Sequence, residues 1–137
     1  MKPIRQTIHF DKKLIDKDAQ KVVKTLNKAG HEAYLVGGCI RDLLLGHKPK
    51  DFDIATSATP EQIHKTFKRS RLIGRRFRLV HIMFSSRKYI EVATFRSGKV
   101  KTSGNGVIVR DNLYGTLKED AFRRDFSVNA LYYDIQK

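Results

Sequence analysis

The chain has 137 residues, 28 of them Lys or Arg against 14 Asp or Glu, a formal charge of +14. That length suits one domain able to bury about two thirds of its unfolded surface, and so large a basic excess favours a polyanionic partner, most often nucleic acid. A single cysteine excludes an intramolecular disulfide framework and suits a reducing cytoplasm, while no apolar run fits a signal peptide or a membrane span.

Residues 1–15 are polar and basic and read as an N-terminal arm, which leaves residues 16–137 as the domain. From Asp16 the apolar positions Ala19, Val22, Val23 and Leu26 recur at helical spacing and stop at Gly30, a residue suited to the position just past a helix end. Residues 33–36 are a first strand. It feeds the stretch around which the chain is organised, residues 35–55, L-V-G-G-C-I-R-D-L-L-L-G-H-K-P-K-D-F-D-I-A. This reads as the end of that strand, a Gly-Gly turn, a short amphipathic helix, a Pro-containing loop and a second strand carrying Asp51 and Asp53.

Side chains in a strand alternate faces, so Asp51 and Asp53 project together and Phe52 and Ile54 point to the core. Two like charges so placed repel, by about 4 kcal/mol at 4 Å near a protein surface. A divalent cation turns that repulsion into affinity, the arrangement that two-metal phosphoryl and nucleotidyl transfer needs. Gly37 and Gly38 lack a Cβ and admit close approach of a ligand to the backbone. The helix they open favours an anion at its start, and Arg41, one turn in, has the donor fork to hold a phosphate. Cys39 reads as a small buried residue rather than an activated thiol. The role of Asp42 stays open.

Thr59, Pro60 and Gln62 compose a helix start with a capping box, and Ile63 and Phe67 give that helix an apolar face for packing. The basic stretch of residues 69–81 interleaves arginines with apolar residues; Arg75, Arg76 and Arg78 are its candidate contacts to RNA. His81 reads as a structural histidine. Residues 82–84 and 89–94 pair as a hairpin across residues 85–88. Glu91 falls on the polar face of its strand, where two readings stand: a third carboxylate near the metal, or the partner of an arginine. Residues 97–106, rich in Gly, Ser and Lys, read as a mobile surface loop, and residues 107–109 as one more short strand. Thr116 and Glu119 form a second capping box for a helix that delivers Arg123, Arg124 and Asp125 to its end, ahead of the apolar run A-L-Y-Y.

Taken in order, the strand, Gly-Gly, Arg-Asp, L-L-L-G, K-D-F-D and, far downstream, R-R-D-F-S-V-N-A-L resemble class II nucleotidyltransferases, the bacterial poly(A) polymerases and CCA-adding tRNA nucleotidyltransferases. The likeness runs from about residue 30 to residue 133. It implies an α/β (α+β) polymerase-beta-like nucleotidyltransferase head, a mixed sheet of about five strands with helices packed on one side. It implies that Asp51 and Asp53 hold two Mg²⁺ (or Mn²⁺) ions, that Gly37, Gly38, Arg41 and Arg124 bind nucleotide, and that Asp125 is a third catalytic or ribose-reading acid. The implied activity is template-independent addition of AMP from ATP to the 3′ end of RNA, in the cytoplasm and without a membrane. The segments L-I-G-R-R-F-R-L-V-H-I and R-D-N-L-Y-G-T-L-K-E-D resemble poly(A) polymerases more than CCA-adding enzymes. CCA addition to tRNA is the alternative, and an RNA-binding domain inactive on its own is a second. Two departures stand out: the loop at 97–106 is shorter than a poly(A) polymerase leads one to expect, and the family continues into neck and body domains past the position of Lys137.

Overall fold

A computed structural model describes residues 12–75, 78–96, 101–102, 108–110, 115–122 and 132–135. Arg76, Arg124 and Asp125, together with residues 1–11, lie outside them.

A 3-10 turn at Lys12–Leu14 leads into helix α1, Lys17–Lys28. Asp16 caps the helix by accepting from the Ala19 amide at 3.2 Å, which satisfies one of the donors a helix start leaves open. Ala19, Val22, Val23 and Leu26 are all fully buried, and burying a Val or Leu side chain contributes about 1.5–3 kcal/mol. Within the expected arm, Ile15 is only 2% exposed and belongs to the same core, so the fold begins before residue 16.

Strand β1, Ala33–Val36, is followed by α2, Gly38–Leu44, β2, Asp53–Thr56, and α3, Pro60–Thr66. The capping box of α3 forms: Thr59 accepts from the Gln62 amide, and the Gln62 side chain accepts from the Thr59 amide. Strands β3, Ser70–Ile73, β4, Leu79–Met83, and β5, Tyr89–Thr94, come next. β3 is not legible in the sequence, because its alternation is masked by arginine and its side chains stay half-buried or exposed. Short strands β6, Lys101–Thr102, and β7, Ile108–Arg110, pair antiparallel, so the stretch taken for a structureless loop supplies one side of a ribbon. Helix α4, Leu117–Phe122, and β8, Tyr132–Tyr133, complete the described elements.

Among the described residues, the main sheet has six strands in the order β3-β4-β5-β2-β1-β8, in keeping with the mixed sheet of about five expected. Both of its edges, β3 and β8, are strands the sequence does not disclose, β8 because two residues are too short to carry a period, while the strand expected at 107–109 pairs in the separate ribbon as β7. Among the described strands of this sheet, β2 and β5 run parallel and the other neighbours antiparallel. One face, carrying Leu35, Ile54, Val80, Ile82, Ile90 and Val92, packs under α1, α2 and α3. The opposite face holds a smaller cluster of Val36, Ala55 and Phe95 with Tyr34, Leu117 and Tyr132, so α4 reaches the side that the first three helices leave open.

Candidate active site

Register places a continuous row of side chains across that second face. Arg71 of β3 stands opposite His81, His81 opposite Glu91, Glu91 opposite Asp53, Asp53 opposite Val36, and Val36 opposite Tyr132. Cross-strand partners point the same way, so Asp53 and Glu91, 38 positions apart in the chain, stand side by side on neighbouring parallel strands.

Asp53 is exposed while Phe52 and Ile54 on either side are buried at 6% and 0%, as strand alternation requires. Asp51 is exposed as well, but it lies off the strand. Pairing with β1 ends at Val36–Asp53, because β1 turns away at Gly37, and Asp51 is left on the approach to β2 rather than within it. The alternation still carries through, with both acids outward and the phenylalanine between them inward.

Gly37 sits directly beneath the second acid. Its φ of 80° is a left-handed conformation that L side chains rarely adopt, and a Cβ built on it would stand 3.8 Å from Asp53 Oδ2. Gly38 is exposed, and a Cβ built there would meet nothing within 4 Å. The carboxylate therefore borders a stretch of bare backbone with open space beside it. Helix α2 has only seven residues, so its dipole is small and the room above Gly38 matters more than the helix end. Arg41 is exposed and has no ion pair among the described residues.

Cys39 fastens this corner. It is 4% exposed and its thiol donates to the Val36 carbonyl at 3.2 Å. Burial pushes its pKa up from 9.0 to about 11; the Asp53 amide donates to the sulfur and pulls it down, and the Asp53 carboxylate charge raises it again. The start of α2 is thus packed against the first residue of β2.

Glu91 takes a partner that neither sequence reading named. His81 Nε2 lies 3.2 Å from Glu91 Oε1, and since an ionised carboxylate only accepts, the ring nitrogen donates. The imidazole stacks on Tyr89 with centroids 4.1 Å apart and planes 13° off parallel. His81 is, as expected, a satisfied histidine, and it orients the acid next to Asp53. The signal was in the sequence only as two alternating strands; the register that joins them was not.

Arg75 and Arg78 are exposed, and Arg78 meets Glu61 at the start of α3 at 3.6 Å. Both sit in the β3–β4 turn, past the Ile73–Leu79 pair. That is the end of the strands away from Gly37, about 10 Å along the sheet from the Asp53 row at about 3.3 Å per residue, so the structure does not bring them to the Asp53 corner. Among the described residues, no three or more His, Cys, Asp or Glu side chains close around a common point as a metal cage. The donors at hand are hard carboxylate oxygens on an open edge, chemistry that suits Mg²⁺ or Mn²⁺ sharing its remaining positions with phosphate and water.

The family described as the Poly A polymerase head domain matches residues 33–137. The chain belongs to this family. Poly(A) polymerase I of Haemophilus influenzae is 53% identical over 156 residues, which cover 98% of this chain and 34% of that protein. Among solved structures, the Bacillus stearothermophilus CCA-adding enzyme in complex with CTP is 39% identical with a TM-score of 0.65, over 86% of this chain and 27% of that one. A tRNA nucleotidyltransferase complexed with a primer tRNA and an incoming ATP analog is 27% identical with a TM-score of 0.57, over 85% of this chain and 32% of that one. The chain thus spans about a third of the length of the relatives it matches. Among the described residues, no helix is long and apolar enough to cross a membrane.

Proposed function

We propose that this chain is the catalytic head of an RNA adenylyltransferase, which joins AMP from ATP to the 3′-hydroxyl of RNA and releases pyrophosphate. The observation that carries the reading is the corner where Asp53 lies over the bare backbone of Gly37, in register with Glu91. Asp51 and Asp53 are the residues that would hold Mg²⁺ or Mn²⁺. The cation, when bound, supplies charge neutralisation for the triphosphate and acidifies the attacking hydroxyl. Gly37 and Gly38 give the phosphates access to the backbone, and Arg41 offers them a fork of donors. His81 holds one oxygen of the Glu91 carboxylate on the side away from Asp53. Arg124 and Asp125, outside the described residues, are assigned to nucleotide and to the reaction by the family motif alone. The higher identity to a poly(A) polymerase than to a CCA-adding enzyme supports AMP addition, and a cytoplasmic setting goes with it.

The test is AMP incorporation into an RNA oligonucleotide with Mg²⁺, by the chain alone and joined to the C-terminal part of the Haemophilus influenzae relative. Asp53→Asn should lower incorporation by about a thousandfold, the scale on which losing a dominant charge-stabilising group acts, with melting unchanged. Metal-dependent incorporation that survives the substitution contradicts the assignment. The similarity to a CTP-bound structure favours CCA addition as the second reading, and CTP incorporation into tRNA lacking its terminus would establish it. RNA binding without incorporation in either form would leave a binding module.

A further inference from the structure

The outer face of α1 carries a feature that the proposed reaction does not use. Lys17, Lys21, Lys24 and Lys28 follow one another at i, i+4, i+7 and i+11, and all four are exposed. At about 100° per residue they fall within about 60° of arc and extend over about 16 Å of helix. Ala19, Val22, Val23 and Leu26 occupy the opposite side and are buried. Together with Gln20 and Thr25 the lysines line one furrow along the helix, and no acidic residue borders it.

Local acids do not neutralise the row. Asp16 and Asp18, the acids at this helix start, both grip Lys88, at 2.8 and 2.7 Å. None of the four lysines has an ion pair among the described residues. Like charges three or four apart destabilise a helix by about 0.2–0.5 kcal/mol per pair, and Lys17 also opposes the dipole at the helix start. The row therefore costs α1 stability unless an anion lies along it.

We propose that this lysine row is a second RNA-binding track, holding the phosphate backbone upstream of the 3′ end. The inference rests on the RNA-directed reading for the identity of the polyanion, and on the helix itself for the site. A single file of four cations matches a linear polyanion, and a lipid surface fits less well because the apolar side of α1 is committed to the core and cannot insert. The row lies on the helix-covered side of the sheet and Asp53 on the other. An RNA engaging both has to pass around a sheet edge, so short RNAs occupy the corner alone and longer ones reach the lysines.

The test replaces all four residues, Lys17→Gln, Lys21→Gln, Lys24→Gln and Lys28→Gln, and measures anisotropy of labelled oligoadenylates about 6 and about 30 nucleotides long, across a salt series. Four lost phosphate contacts should lower the slope of log affinity against log salt by about 2–3 for the long RNA, at about 0.7 per contact on a single strand. Affinity for the long RNA should fall at least tenfold, with short-RNA and ATP binding unchanged and melting no lower. An unaltered slope for the long RNA overturns the proposal, as does lysine-dependent capture by phosphatidylserine vesicles without any change in RNA binding. If neither protein incorporates AMP but the slope still falls, the reaction assignment fails and the track stands. If incorporation is intact and the slope does not move, only the track fails.

Discussion

Cys39 shows at the scale of one residue how burial decides chemistry. A thiol near a helix start is a candidate for activation, but this one is enclosed by β1, α2 and β2, and its pKa rises from 9.0 to about 11. At pH 8 the folded protein holds it as the neutral thiol, whereas an unfolded chain ionises an appreciable part. The shift is upward in the folded state, so its contribution to stability is complete below pH 9 and is lost as pH climbs toward 11. Cys39 should therefore react with a disulfide reagent at pH 8 only as fast as the protein opens, and rapidly in denaturant. Rapid labelling of the native protein would mean that the corner beneath Asp53 is not closed as described.

Between elements, one lysine ties the hairpin to the first helix. Lys88, in the turn between β4 and β5, donates to Asp16 Oδ1 and Asp18 Oδ2, while the other oxygen of Asp16 caps α1. The two carboxylates raise the Lys88 pKa above 10.5. A raised value means stabilisation that is whole below pH 10.5 and fades as pH passes through the higher folded value. The Lys88 side chain is 43% exposed, so solvent screening limits the worth of the pair: Lys88→Met should cost about 1 kcal/mol at pH 7. Chemical denaturation at pH 7 and above pH 11 checks this, and a deficit that persists undiminished at the higher pH would assign the loss to packing instead. Contacts of this kind mark the boundary of what the sequence discloses. The caps at Asp16 and Thr59, the helical period of α1 and the in-out order of Asp51, Phe52, Asp53 and Ile54 are local patterns, readable within a few residues. The pairing of Lys88 with Asp16, of Glu91 with Asp53 and of His81 with Glu91 depends on strand register over tens of residues. Neither β3, with an exposed arginine in its alternation, nor the two-residue strands β6 and β8 has a period long enough to detect.

Across the whole molecule, the sheet sets the lysine row of α1 and the acidic corner on opposite faces, and its last described strand keeps that corner in register. β8 pairs Tyr132 with Val36 and Tyr133 with Leu35, so β1 is an interior strand only while β8 is present. Tyr132 also donates to Asp120, which is 1% exposed and accepts from the Arg96 amide at 2.9 Å through its other oxygen. Ile135 adds to the core under the helices. Removing residues 132–137 should leave a buried carboxylate short of a donor, at about 1–3 kcal/mol, and open the edge of β1. Total loss should reach about 3 kcal/mol or more, a large share of the roughly 5–15 kcal/mol that holds a domain together. Because Val36 is the register partner of Asp53 and the Gly37 turn follows it directly, hydrogen exchange at β1 should rise first and AMP incorporation should fall with it. Tyr132→Phe separates the two causes: it removes the donor to Asp120 and keeps β8, and should lower the melting temperature by a few degrees while β1 amides stay protected. A truncated chain that melts like the full one, with β1 still protected, would show that β8 lies on the sheet without supporting it.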